Sequence, residues 1–596
     1  MKPSTDSDNK RFSFLEHDPF PEHAAHPGLS RERKGSQATV TTITFSDCEK
    51  GERKNGGPRD LDPKFSQTTL TEVESEEVRV PMTRTRLFAT IFALSLGCFL
   101  SILDQSILSS ALPAITNQFG ELSSITWVTA AYMLTLISLQ SIFSKVSEIF
   151  GRLQVLIVSL VVFCVGSAIC GAAANMNMLI AGRAVAGCGA CGLSTMVQLI
   201  LIDLLPLRKR ATYMGFMSFM STLGVVSGPI IGGAIADHWL WRWCFYINIP
   251  ICAVIALACL VTIRLSPPTG TVKDKLARID FTGAFFLLSG LVLLVLVLNW
   301  GGKNYKWNSA PIIVTLVLSL LLLAVFIYIE SKHARDPIIP MRMFTSPSLT
   351  PTLIAQFFLG AGIMFTVMYL PVYFTVVHRA SSTVVGLYML PYLIGMMATA
   401  LVIGPVVTRF NIYRPYIWIG LAIMTVTAGL LNIIRADTRL VVVLVLTGFF
   451  GLGAGIGMMP LMVATHASCE PRDTGTASTL ALFMRNAGSI VGIAIVGSIF
   501  NNTLINKLTV VAAEHPDYST QIFRSINDAT IVWTDAVSAE VHKQIISGYV
   551  VALRATFIAN APFVGIAFLL SLLIKHKSLG QRTKPVPDST DMQESV

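Results

Sequence analysis

The sequence predicts an all-α polytopic membrane protein. Hydrophobic residues fill 53% of its 596 positions and charged residues 13%, with a mean hydropathy of +0.62. A water-soluble chain of that make-up has too little polar surface to cover itself. From Leu87 onward, apolar runs long enough to cross about 30 Å of hydrocarbon follow one another. The net charge of +10 comes from basic residues in tails and short connections. That distribution orients a membrane protein and does not point to nucleic acid.

Residues 1–85 are polar and rich in Ser, Thr, Lys, Arg and Pro. They lack the apolar surface to offset ordering entropy, so they are expected to form a disordered cytoplasmic tail. No apolar run in them resembles a secretory signal, which leaves the first span as the insertion signal. Fourteen spans are expected near 87–111, 125–145, 153–173, 178–203, 211–235, 243–264, 281–300, 310–329, 350–376, 384–408, 414–434, 440–465, 477–504 and 549–574. An even number puts both tails on one side. The connections carrying Lys145 and Arg152, Arg208–Arg210, Lys273–Arg278, Lys332–Arg342 and Arg409–Arg414 are the more basic set, which makes that side cytoplasmic. Trp239, Trp241 and Trp243 then fall where an outer aromatic belt belongs. The connection 505–548 is long, and the stripe Trp533, Val537, Val541, Ile545 predicts an amphipathic helix on the outer membrane face or over the outer mouth. Asn501 opens a glycosylation sequon at the edge of the thirteenth span.

Within the fifth span, Gly224, Gly228 and Gly232 recur every fourth residue in GVVSGPIIGGAIAD, followed by Gly233. On a helix they form a stripe without side chains, along which a second backbone can approach closely. Pro229 removes the amide that would bond the Val225 carbonyl and so weakens that turn. Asp104, about 25 Å into the first span at 1.5 Å per residue, is an expensive charge that must face a cavity, pair with a cation or carry a proton. Arg183, among small residues early in the fourth span, is its natural partner. Arg485 is a third charge inside a span. Between the second and third spans, Gly151 permits a tight turn, while Glu148 and Arg152 can each pair with helix ends across the inner mouth, as contacts that gate opening. Cys188 and Cys191 form a C-x-x-C within a predicted helix without a second pair, which reads as small packing residues and not as a metal or redox site.

These segments resemble the drug:proton antiporter branch of the major facilitator superfamily with fourteen spans, especially its fungal members, over residues 87–504. Leu103-Asp104-Gln105-Ser106…Ala111-Leu112-Pro113 matches its first-helix motif, Arg183 the arginine of its fourth-helix motif, and Gly228-Pro229 its fifth-helix antiporter signature. The Tyr369–Phe374 stretch also looks familial. Departures are Ser144, Glu148 and Leu153 in the cytoplasmic loop, Ala186 after the motif arginine, and Ser109 near the end of the first motif.

The resemblance implies a major facilitator fold: an N-terminal six-helix bundle over 86–265, two extra spans within 266–345, a C-terminal bundle over 346–575 and a cytoplasmic tail over 576–596. It further implies export of amphipathic drugs, toxins or secondary metabolites in exchange for protons, with Asp104 and Arg183 coupling the two. Met133, Phe357, Phe358, Met364, Tyr388 and Tyr392 fall on cavity helices. The plasma membrane is the expected residence, with the vacuolar membrane as the alternative. Rival readings are a transporter of basic amino acids or siderophores on the same fold, and a non-transporting nutrient receptor. An enzyme is disfavoured by the lack of a His or Cys cluster, serine elbow or paired carboxylates in the spans. No cofactor, metal or nucleic acid is expected. The partners are substrate, protons and lipid, and a monomer is compatible with the sequence.

Overall fold

The computed structural model describes residues 83–119, 125–238, 240–263, 271–277, 279–301, 305–332, 337–527 and 538–577. The expected terminal tails lie outside those residues, except that α1 begins at Arg84, inside the predicted N-terminal tail, and that the first two residues of the predicted C-terminal tail, His576 and Lys577, lie against Tyr413. Helices α1 (Arg84–Phe119), α2 (Ile125–Ser138), α3 (Gln140–Phe150), α4 (Arg152–Gly171), α5 (Met176–Leu204), α6 (Leu207–His238), α7 (Trp243–Tyr246) and α8 (Asn248–Thr262) pack mainly on one another. A short α9 (Val272–Ala277) leads to the paired α10 (Phe281–Trp300) and α11 (Ala310–Lys332). Helices α12 (Leu349–His378), α13 (Ser382–Phe410), α14 (Arg414–Leu430), α15 (Leu440–Ser468), α16 (Thr474–Glu514), α17 (Ser519–Asn527) and α18 (Ala539–Leu572) form a second packed group.

Among the described residues, thirteen helices are long and apolar enough to cross a membrane. A fourteenth span results if α2 and α3, bent by 47° around Leu139, are taken as one. At the end of α3, Gly151 adopts φ 105°, a left-handed conformation that a side chain would strain, and this lets α4 start at once. The α10–α11 pair is tied to the second group by Trp307, in the connection between the two helices, which donates to the Ser498 hydroxyl of α16 at 2.9 Å. Glu330 near the end of α11 accepts the amide of Ile339, in the connection that follows, at 2.6 Å.

Three expectations change. The connection 505–548 is shorter than predicted, because α16 continues to Glu514 and α18 starts at Ala539. Trp533 and Val537 lie outside the described residues, but Val541 and Ile545 are fully buried with Leu504, Leu508 and Ile522. Their spacing marks a core face where α16, α17 and α18 pack together, and not a helix lying on lipid. Trp241 does not belong to a lipid-facing belt: it is buried, edge-on to Phe119 and Phe245, and donates to Gln118 at 2.6 Å. Trp243 is half exposed, as the belt requires, and Trp239 lies outside the described residues. Asn501 sits half-buried inside the unbroken α16, a setting without the open backbone of a surface-loop sequon.

Candidate functional site

Asp104 of α1 and Arg183 of α5 meet deep in the first helix group. The Arg183 Nη1 donates to Asp104 Oδ2 at 2.6 Å, and both side chains are 1% exposed or less. Each charge is costly in an apolar layer, and the pair offsets that cost better the more of its remaining hydrogen-bond positions are filled. Asn248, the first residue of α8, donates to Asp104 Oδ1 at 2.7 Å and reaches the Ser167 hydroxyl of α4 at 3.2 Å. Arg183 Nε donates to the Val128 carbonyl of α2 at 3.3 Å, and its guanidinium lies over the Tyr132 ring at 4.2 Å. Five helices thus converge on one ion pair. Asn248 and Ser167 escaped the sequence reading; the signal was there in a lone amide just before Pro250 at the head of an apolar run.

The stripe on α6 packs against α1, the helix that carries Asp104. A Cβ at Gly228 would overlap the Ser106 side chain and stand 2.9 Å from the Ile107 nitrogen. At Gly224 it would stand 2.8 Å from the Phe99 carbonyl oxygen. Ser106, two residues beyond Asp104, donates to the Gly224 carbonyl at 2.9 Å. Gly232 is buried, whereas Gly233 has open space around its Cα and lies off the contact. Pro229 faces outward on an otherwise continuous helix.

A second constellation closes the end of the molecule that carries the basic connections. On α3, Gln140, Ser144 and Glu148 stand at four-residue spacing and so share one face. Each meets a polar partner on α16, in antiparallel order. Asn486 donates to Gln140 at 3.2 Å, Thr479 to the Ser144 hydroxyl at 3.0 Å, and Thr476 to Glu148 at 3.2 Å. Lys145 flanks Glu148 at 3.6 Å. Beside this seam, α6 and α13 touch through their backbones. A Cβ at Gly404 would stand 2.6 Å from the Ala211 carbonyl oxygen, and the Thr212 and Thr408 hydroxyls lie 2.9 Å apart. Arg152 stays within the first helix group, bonded to Asp203 at 3.1 Å and to the Ser147 hydroxyl. Glu148 and Arg152 therefore hold different neighbours, and Thr476, Thr479, Asn486 and Asp203 are additions that sequence alone did not single out.

The family model described as Major Facilitator Superfamily matches residues 94–493. The chain belongs to the major facilitator superfamily. It is 31% identical over 508 residues to the MFS-type efflux pump LUC4 of Fusarium sp, covering 84% of this chain and 90% of that one. It is 32% identical over 570 residues to the MFS-type transporter gkaD of Penicillium citrinum, covering 91% and 96%. Among solved structures, the human organic anion transporter MFSD10 (TETRAN) superposes with a TM-score of 0.54 at 14% identity, covering 82% of this chain and 99% of that one. At that identity the likeness shows the fold alone. The superfamily member described here is an integral membrane transporter related to fungal efflux pumps, and not an enzyme.

Proposed function

We propose that this transporter exports amphipathic small molecules from the cytoplasm in exchange for protons, with residence in the plasma membrane. The observation that carries the reading is the buried Asp104–Arg183 pair with Asn248 on the second carboxylate oxygen. The Asp104 carboxylate is bonded from two helices, by Arg183 of α5 and Asn248 of α8, and a proton arriving from outside would break the ion pair. Asn248 serves both states, since its Oδ1 has no partner and can accept from a protonated carboxyl after the amide turns. Neutralising Asp104 frees Arg183, and α1, α5 and α8 then have reason to shift against one another.

The basic end is cytoplasmic by the distribution of Lys and Arg in its connections. With that end shut by the α3–α16 and α6–α13 seams, the structure supports an alternating-access cycle in which two six-helix bundles rock about a central cavity. Proton entry at Asp104 favours return to the inward-open state, and binding of cargo there favours proton release. One proton moving down 100 mV supplies about 2.3 kcal/mol, and one pH unit adds about 1.4 kcal/mol. A one-to-one exchange of a neutral molecule is then driven to roughly a few hundred-fold. Purified protein in liposomes containing a pH dye tests this: cargo added on one side should drive proton flux on the other. Cargo movement indifferent to an imposed pH gradient and potential would refute proton coupling.

A further inference from the structure

Arg485 lies on α16 about 17 Å from its first residue, well inside the span. Its carbonyl accepts from Ser489 at 3.0 Å, but its guanidinium has no hydrogen-bond or ion-pair partner among the described residues. Arg183, the other arginine at comparable depth, is sealed and ion-paired with Asp104. Arg485 is half-buried and its nitrogens are not shut away. A permanently charged group inside a membrane protein either pairs, snorkels or faces a polar space, and mid-span there is no interface within reach.

The face it occupies is an interior one. Ser478, seven residues earlier on the same side of α16, bonds His466 of α15 at 2.5 Å. On the flank toward α12, a Cβ at Gly360 would stand 3.0 Å from Arg485 Cγ, so the arginine stem runs along α12 where that helix lacks a side chain. One turn away on α12, Gln356 is fully buried, its Oε1 is unpartnered, and its amide nitrogen touches only the Met462 sulfur at 4.0 Å. The guanidinium fork of α16 thus has its stem one helical turn along α12 from a loosely held amide that faces α15. Both can donate to an anion, and among the described residues no carboxylate pairs with either.

We propose that Arg485, assisted by Gln356, is the counter-charge for the cargo, so that the exported molecule is an amphipathic organic anion. This rests on the proton-exchange reading above and adds an electrical consequence. Sending an anion out while a proton enters moves two charges per cycle. The potential then supports a gradient of roughly 2,500-fold per 100 mV, against roughly 50-fold for neutral cargo.

The test uses full-length protein in liposomes, with pyrenesulfonate and its neutral sulfonamide as matched probes, under valinomycin-set potentials. Wild type should move the sulfonate at least tenfold faster than the sulfonamide, with the two-charge voltage response. Arg485→Gln should erase that preference, and Arg485→Lys should keep part of it, provided each elutes as a folded species. Equal handling of the two probes by wild type, or a preference that survives in Arg485→Gln, overturns the proposal. Proton-driven movement of the sulfonamide alone leaves the exchange reading standing and sinks the anion. Movement of neither probe sinks both.

Discussion

Thr479 and Ser144 are hydrogen-bonded at 3.0 Å although 335 residues separate them in the chain. The bond is the middle rung of the ladder between α3 and α16, and it makes closure of the basic end a matter of a few weak polar contacts. Each is worth about 0.5–1.5 kcal/mol net. Such a seam can open within a transport cycle, whereas an apolar seam of equal length would resist.

Joining Ser144→Cys and Thr479→Cys by oxidation should therefore arrest transport, to below roughly a tenth of the reduced rate, with recovery on adding a thiol. Transport that continues in fully cross-linked protein would mean that the seam never parts.

Asp104→Asn should abolish proton-driven transport and also lower stability. The amide leaves Arg183 buried without a counter-charge, and breaking a buried pair costs about 3–5 kcal/mol. The double variant Asp104→Asn/Arg183→Gln should regain much of that stability but no transport. Thermal melting and proton flux, measured on all three proteins, separate the two roles; a double variant no more stable than the single one contradicts the pairing energetics.

Arg183→Lys should slow transport roughly tenfold while expressing well. Lysine keeps the charge but loses the fork that reaches both Asp104 and the Val128 carbonyl, and the flat contact with Tyr132. A wild-type rate would reduce Arg183 to a generic positive charge.

Gly228→Ala and Pro229→Ala, adjacent substitutions, should act oppositely. The first drives a methyl into Ser106 and parts α6 from α1, so activity should fall sharply. The second points outward and restores a backbone donor, so the protein should fold normally but exchange more slowly or leak protons. An internal pH dye with and without cargo reads both, and normal transport by Gly228→Ala would remove the coupling significance of the α1–α6 contact.

Ile545→Ala should destabilise by about 2–5 kcal/mol, because it empties a fully buried site between α16 and α18. A helix lying on the lipid surface would tolerate the change, so an unaltered melting temperature would restore the surface reading.

The apolar runs were legible because span length is fixed by bilayer thickness, a constraint each segment meets alone. Asp104, Arg183 and the α6 glycines were legible for a related reason: charge and missing side chains are conspicuous against an apolar background. Asn248, Thr476 and Thr479 were not, since a polar residue near a span end is ordinary until its partner is known, and neither was Asn486, an uncharged amide beside a conspicuous arginine. The stripe at Val541 and Ile545 misled because period and amphipathicity specify a face without saying whether lipid or protein covers it. Trp241 misled in the same way, as its ring suits either an interface or a core.

The side chains that touch the Asp104–Arg183 pair come from α2, α7 and α8, and the pair itself from α1 and α5, while Arg485 and Gln356 belong to α16 and α12. On the proposed roles, energy capture and cargo selection would be lodged in separate stretches of the gene. Substitutions can accumulate in the second stretch without detuning the first. A chain so divided could be re-addressed to a new chemical by drift or recombination in its later half.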